Sequence, residues 1–321
     1  MSRRVKYKSI LIEEKNMDSE HTPKKAHTVG ELKGKIAHVG AVLTASFNVD
    51  GRLFFTGGED RVIRFWDSRN GSPVAHFDGH EGEVRDVCVT RDDTKMSSCG
   101  GDGQILYWDL STQRTVRKFG GHNDGVNAVK FNEFASVIVS ADSSVHIWDS
   151  RSHSIEPIQT FNTFKESVTS IGLRRTEMIA ASVDGSVQKF DFRTNKRLSY
   201  NVGPPVKCMY MASTHDEFAL TSGLDSTLKL LAMETSSVRT IQRYRGHTCE
   251  SHKVGCCFTN EETCVVGGSE DGNIFIWDVL RSRPFEQFRA HSSVVTSVDY
   301  HPKEDCLVSA SADGTVALWK K

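Results

Sequence analysis

Apolar and polar residues alternate with a period of two along most of the chain, in short runs broken by Gly, Asp and Ser. Seven runs share one form: DRVIRFW, DGQILYW, DSSVHIW, DGSVQKF, DSTLKLL, DGNIFIW and DGTVALW. The fourth position is apolar in all of them, and so is the sixth except where Lys189 stands. Alternation sends neighbouring side chains to opposite faces, so each run is predicted to be a half-buried strand opened by a turn. The runs begin at Asp60, Asp102, Asp142, Asp184, Asp225, Asp271 and Asp313 and end at Trp66, Trp108, Trp148, Phe190, Leu231, Trp277 and Trp319. Their ends are spaced by 42, 40, 42, 41, 46 and 42 residues. A second series of strands begins at Val42, Val84, Val126, Val168, Val206, Val254 and Val295. His38, His80, His122 and His291 each precede such a valine by four residues, and Phe164 and Val202 take that place in the fourth and fifth repeats. His247 precedes Val254 by seven, which marks a three-residue insertion.

A period near 40 with four strand-sized segments predicts propeller blades, because a single blade cannot bury its own faces and must stack on neighbours. The expected fold is all-β: a seven-bladed β-propeller. Each Asp suits the tight turn between the second and third strands, where its carboxylate can accept local N–H groups. His and Trp are expected to complete a buried polar network, which helps only when every member is satisfied. The fourth and fifth repeats lack both, so looser packing is expected at that end of those blades. The chain stops two residues after Trp319, inside the third strand of the last blade. Residues 28–36 hold the place before His38 that 73–77 hold before His80, so an N-terminal strand is expected to close the last blade. The span 28–321 gives 42 residues per blade and leaves no room for a second domain. Residues 1–27, with seven Lys or Arg against four Asp or Glu, are expected to form a flexible basic tail.

The formal net charge is -1, so no overall field draws the chain to nucleic acid or to an acidic membrane. No apolar run approaches the ~20 residues that span a bilayer. The basic start carries only a short apolar stretch, Ser9 to Ile12, too short for a secretory signal. The eight cysteines fall mostly inside apolar strand patterns, where a reduced thiol packs as a small hydrophobe. An intracellular protein without membrane contact is expected.

Candidate chemistry is sparse. The segment from His247 to Cys257 gathers several metal-ligand types, but Cys256 and Cys257 are strand neighbours and point to opposite faces. A structural zinc site needs four converging side chains, so no metal is expected. Gly57-Gly58 and Gly100-Gly101-Asp102-Gly103 lack the Lys-Ser/Thr of a phosphate loop and recur with the blades, so no cofactor is expected. The recurring histidines leave no unique triad, and catalysis is not expected. Function is therefore sought where the repeat breaks. The best candidate partner-binding stretch is Thr248, Cys249, Glu250, Ser251, His252 and Lys253, which departs from the repeat without an evident packing reason. Arg61, Arg85 and Lys189 are further candidates as top-face or channel-lining charges. The basic head Arg3, Arg4, Lys6 and Lys8 could touch phosphates, but the aromatic residues fit strand interiors and direct RNA contact is not expected.

With the repeats laid out, Trp66-Asp67, Trp108-Asp109, Trp148-Asp149 and Trp277-Asp278 resemble the signature of WD-repeat proteins. The segments FNVDGRLFFTGGEDRVIRFWD, GGDGQILYWD, VRKFGGHNDGVNAVKFNE, EPIQTF, AASVDGSVQKFDFR, LDSTLKLL and DYHPKEDCLVSA resemble, more narrowly, the mitogen-activated protein kinase organizer one family. The third blade, shortened at VIVSADSS, and the tail depart from that family. The resemblance implies a non-catalytic protein-interaction scaffold, a monomer within larger complexes, whose partners are kinase-cascade or spliceosomal components. A second resemblance implies an alternative. The stretch from Phe54 to Arg69 looks like the WDxR box of cullin-4 ubiquitin-ligase substrate receptors, and Trp148-Asp-Ser-Arg151 repeats its ending. Arg69 and Arg151 would then present a charged fork to a partner.

Overall fold

A computed structural model of the chain describes residues 30–31, 36–194, 196–215, 217–234 and 237–320. These residues form strands and turns without a helix, arranged as seven antiparallel sheets. Two short N-terminal strands, β1 (Gly30–Glu31) and β2 (Ile36–Ala37), come first. Blade 1 runs from β3 (Val42–Phe47) through β6 (Pro73–Asp78), blade 2 from β7 (Val84–Val89) through β10 (Arg114–Phe119), and blade 3 from β11 (Ala128–Phe131) through β14 (Gln159–Phe161). Blade 4 runs from β15 (Val168–Arg174) through β18 (Lys196–Asn201), blade 5 from β19 (Val206–Met211) through β22 (Val238–Arg245), and blade 6 from β23 (Cys256–Phe258) through β26 (Pro284–Arg289). Blade 7 comprises β27 (Val295–Tyr300), β28 (Cys306–Ser311) and β29 (Thr315–Lys320). In each blade the strands lie side by side in chain order. First strands of adjacent blades touch one another, as β3 touches β27 and β7 touches β11, so they form the inner wall of the ring.

The alternation read from the sequence explains where the core lies. Every apolar cluster among the described residues draws on two or more blades, so the core fills the gaps between them. Trp108 of blade 2, for instance, packs with Ile63 and Phe77 of blade 1, its ring 5.7 Å from that of Phe77. Turns between second and third strands form as their sequence requires. The carboxylates of Asp60, Asp102, Asp142, Asp184, Asp271 and Asp313 each accept the N–H two residues on, at 2.6–3.3 Å. The intervening residue usually adopts a left-handed conformation, which explains the Gly that follows most of these aspartates. Gly103 has φ 70°, while Arg61 at 66° and Ser226 at 52° adopt the same conformation with a side chain.

The ring closes as the sequence predicts, by an N-terminal addition to the last blade. Gly30 and Glu31 pair with Lys320 and Trp319, and Ile36 and Ala37 with Val316 and Thr315. On the inner wall, Asp299 of blade 7 accepts the Ser46 hydroxyl at 2.7 Å and the Phe47 N–H at 2.8 Å. The expected tail, 1–27, falls outside the described residues.

Candidate interaction surfaces

The buried network takes shape one blade at a time. In blade 2 His80 Nδ1 lies 2.8 Å from the Asp102 carboxylate, and its Nε2 lies 2.8 Å from the Ser98 hydroxyl. The Trp108 indole donates to that same hydroxyl at 2.8 Å. Blade 1 repeats the set with His38, Asp60, Thr56 and Trp66, blade 3 with His122, Asp142, Ser140 and Trp148. Blade 7 uses His291, Ser309 and Trp319, but there Asp313 stands 3.7 Å from the imidazole and Thr315 bridges the two. The hydroxyl shared by His and Trp was not among the residues singled out from the sequence. A Ser or Thr ten residues before the Trp in blades 1, 2 and 7 could have shown it. Burial pushes the Asp102 carboxyl up, but hydrogen bonds from His80, Glu81 and Gln104 more than offset this and hold it at about 2.

Blade 6 keeps His247 and Trp277 but has Gly267 where the hydroxyl belongs. A Cβ at Gly267 would meet Leu228 at 2.8 Å and Trp277 at 3.0 Å, so close packing excludes the serine. Trp277 donates instead to the Arg245 carbonyl at 3.0 Å, and neither ring nitrogen of His247 has a hydrogen-bond partner among the described residues. Burial lowers the His247 pKa to about 4.

Blades 4 and 5 correct the expectation of looser packing. In blade 4 the amide of Gln188, buried two residues before Phe190, exchanges hydrogen bonds with Thr163 at 2.9 and 3.2 Å. Phe190 meets Phe161 at 4.8 Å and Phe164, which stands in the His place, at 6.5 Å, both rings tilted to it, so apolar rings replace His and Trp together. In blade 5 the equivalent Lys229 is buried, donates to the Val202 carbonyl at 3.1 Å and pairs with Asp225 at 3.1 Å. Asp184, still at the turn, accepts from Ser186 and Lys165.

The strand ends that carry these networks form one face of the ring. There the stretch from Thr248 to Lys253 has a packing reason after all. Cys249 is wholly buried with Val254 and Val294, its thiol pushed up to about 11 by that burial. Glu270 accepts the N–H groups of Glu250, Ser251 and His252 at 2.7–2.8 Å. Thr248, Glu250, Ser251 and His252 are exposed and Lys253 is half-buried, so these five, without Cys249, remain on the surface. Among the described residues no three His, Cys, Asp or Glu side chains converge on a metal position.

Two of the charge candidates have structural partners. The Arg85 guanidinium donates to Glu83 at 2.7 Å, Asn127 at 2.9 Å and the Gly125 carbonyl at 3.1 Å, tying blade 2 to blade 3. Asn127 in turn donates to the Val168 carbonyl, Thr169 to that of Val206 and Thr296 to that of Val42, so inner-wall side chains stitch successive blades. Lys189 does not line the channel. It lies in a third strand, buried, with its ammonium 2.9 Å from Glu177. Arg61 is exposed beside Asp60.

The opposite face gathers the turns between first and second strands and between third and fourth. Arg69 and Arg151 sit here. Arg69 forms a fork on Asp67, at 2.7 and 3.1 Å, with its side chain 82% exposed. Arg151 reaches Asp149 at 3.5 Å and is 76% exposed. The same face holds a cleft of about 990 Å³, which begins at the mouth of the channel and runs outward between blades 3 and 4. No helix among the described residues is long and apolar enough to cross a membrane.

Comparison with known proteins agrees with this geometry. The family described as "WD domain, G-beta repeat" matches residues 30–67, 71–109, 113–149, 238–278 and 282–320. The unmatched span between 149 and 238 holds blade 4 and the first three strands of blade 5, the two blades without His and Trp. A Rattus norvegicus protein named WD repeat domain-containing protein 83 is 38% identical over 293 residues, covering 91% of this chain and 92% of its own. The Homo sapiens protein of that name is 38% identical over 284 residues, covering 88% of this chain and 89% of its own. A Dictyostelium discoideum homolog of it is 26% identical over 312 residues, 88% of this chain and 95% of its own.

Proposed function

The chain belongs to the WD-repeat family, and from that premise we propose that it is a non-catalytic scaffold that assembles multiprotein complexes in the cytoplasm and nucleus. The proposed clients are a mitogen-activated kinase cascade module, a spliceosomal complex, or both. One observation carries this reading. The His–Asp pairs recur blade by blade, and each of His38, His80, His122 and His291 turns its second nitrogen onto a hydroxyl of its own blade. They brace the ring and do not converge on a shared cavity, so the chemistry of the side chains is architectural. What varies is the loops, held at fixed positions on two faces of a rigid disc. Such a disc raises the effective concentration of one partner beside another.

A second reading has its own observation. The Arg69 guanidinium is held in place at the surface by its fork on Asp67 and stays 82% exposed, so its remaining N–H groups face outward toward a partner's acceptors, as a cullin-4 substrate receptor would need. Affinity purification of the full chain from cells, followed by mass spectrometry, separates the two. The scaffold reading expects kinase-cascade or spliceosomal proteins, unaffected by Arg69→Ala and Arg151→Ala. Recovery of the cullin-4 adaptor, lost on either substitution, favours the receptor, and recovery of neither set overturns both.

A further inference from the structure

The cleft on the face opposite the buried networks has a cause in the sequence. In blades 2 and 3 the residue before the Trp turns toward the next blade. Between blades 2 and 3 that gap is filled by the rings of Tyr107 and Phe131, 6.1 Å apart. Between blades 3 and 4 the corresponding side chains are Ile147 and Leu173, aliphatic and smaller. The recess left there joins the channel mouth and gives the cleft its 990 Å³, at the upper end of the usual size for a ligand site.

Three properties of the cleft specify an occupant. Its walls are mixed: apolar side chains, Val89, Val137, Leu173 and Met211 among them, alternate with polar ones such as Asn132 and Gln159. Its surroundings expose large apolar side chains that a folded protein has reason to hide: Val49 is 53% exposed, Phe192 40%, and Phe134, next to the lining residue Glu133, 81%. Its blade 4 side is basic. Segments 174–177, 191–194 and 196–197 carry Arg174, Arg175, Arg193, Lys196 and Arg197 against Glu177 and Asp191; Glu177 is already paired with Lys189, and Arg174 donates to the Ala212 and Phe218 carbonyls at 2.8 and 3.2 Å. Arg175 and Arg193 are exposed. A trough of mixed polar and apolar lining, with exposed aromatic neighbours and a cationic bank, fits an extended polypeptide, which brings both side chains and backbone groups, better than a small molecule. A chain can bury apolar side chains in the recess while acidic residues beside them face the arginines.

We propose that this cleft is a docking site for an extended segment of a partner protein in which adjacent apolar residues are flanked by Asp or Glu. The proposal rests on the scaffold reading and gives it one defined surface. It also separates that surface from the Thr248–Lys253 loop on the other face, so two partners could be held at once.

The test uses the full chain as bait for a phage library of random dodecapeptides, with enriched peptides synthesised and their Kd measured by fluorescence anisotropy. The enriched sequences should share apolar pairs flanked by acidic residues. Their affinity should fall about tenfold in Arg175→Glu and in Phe192→Ser, both surface changes, and should decline with added salt. Val39→Ser, at an exposed position on the opposite face, should bind as the parent does. Thermal melting confirms that each variant stays folded. Enriched peptides that are basic, or that bind both cleft variants like the parent, overturn the proposal. So does an oligouridine RNA that binds in the peptide's place and is lost on the same substitutions. A library yielding no enriched peptide overturns the cleft assignment but leaves the scaffold reading intact, provided affinity purification still recovers partners.

Discussion

A single hydroxyl settles whether a buried imidazole stabilises or costs. Ser98 accepts the Trp108 indole and lies within hydrogen-bond reach of His80, whose other nitrogen reaches Asp102. Ser98→Ala therefore leaves two buried polar groups without a partner. It should lower stability by ~2–4 kcal/mol, read as a shift of the urea unfolding midpoint with the slope unchanged. The contrast is His247, whose ring is buried with neither nitrogen satisfied among the described residues. His247→Leu removes an unmet polar group rather than creating one, and the same assay should show it within ~1 kcal/mol of the parent or above it. Equal losses in the two variants would mean that the blade 6 His is held by more than packing.

At the scale of the element, the loop between blades 5 and 6 shows how an insertion can be structural within and available without. Three consecutive N–H groups converge on Glu270, and Cys249 plugs the gap beneath them. Glu270→Ala should release that clamp while leaving the ring intact. Alkylation of Cys249 by iodoacetamide, followed by peptide mass mapping, should then speed up by roughly an order of magnitude, as local opening becomes less costly. An unchanged rate would show that apolar contacts alone hold the loop. The sequence made the insertion visible through the seven-residue spacing of His247 and Val254, but not its clamp, because Glu270 belongs to a turn two strands away in the chain. The same limit applies elsewhere. Blade boundaries, the Asp turns and the N-terminal closure are local or periodic and could be read. Gln188 with Thr163, Lys229 with the Val202 carbonyl and the recess at Ile147 and Leu173 depend on which groups meet between strands far apart in the chain, and periodicity is silent on that. Lys189 shows the hazard most plainly. A lone charge in an apolar pattern suggests a surface role, yet Glu177 of the neighbouring strand neutralises it inside the blade.

At the scale of the molecule, the ring differs from an open array of repeats because its first and last blades must hold each other. Asp299 is the inner fastening. It accepts from Ser46 and Phe47 of blade 1, and from the hydroxyl of Tyr210, which reaches across from blade 5 at 3.0 Å. Burial pushes its pKa up even though those bonds favour the carboxylate, so the group is desolvated at the junction. The outer fastening is the pairing of β1 and β2 with β29, reinforced where the His38 N–H donates to the Gly314 carbonyl at 2.8 Å. Removing residues 1–37 keeps Asp299 and its partners but strips β29 of its outer neighbour. The exposed edge offers unpaired N–H and C=O groups to other chains. The truncated protein should melt several °C lower and should associate as its concentration rises, seen by differential scanning calorimetry and by sedimentation. Removing only 1–27 should change neither. If both truncations melt with the parent, the inner fastening alone closes the ring and β1 and β2 add nothing. If both fall equally, the stabilising segment lies upstream of residue 28. Only a difference between them assigns closure to the strands that pair with β29.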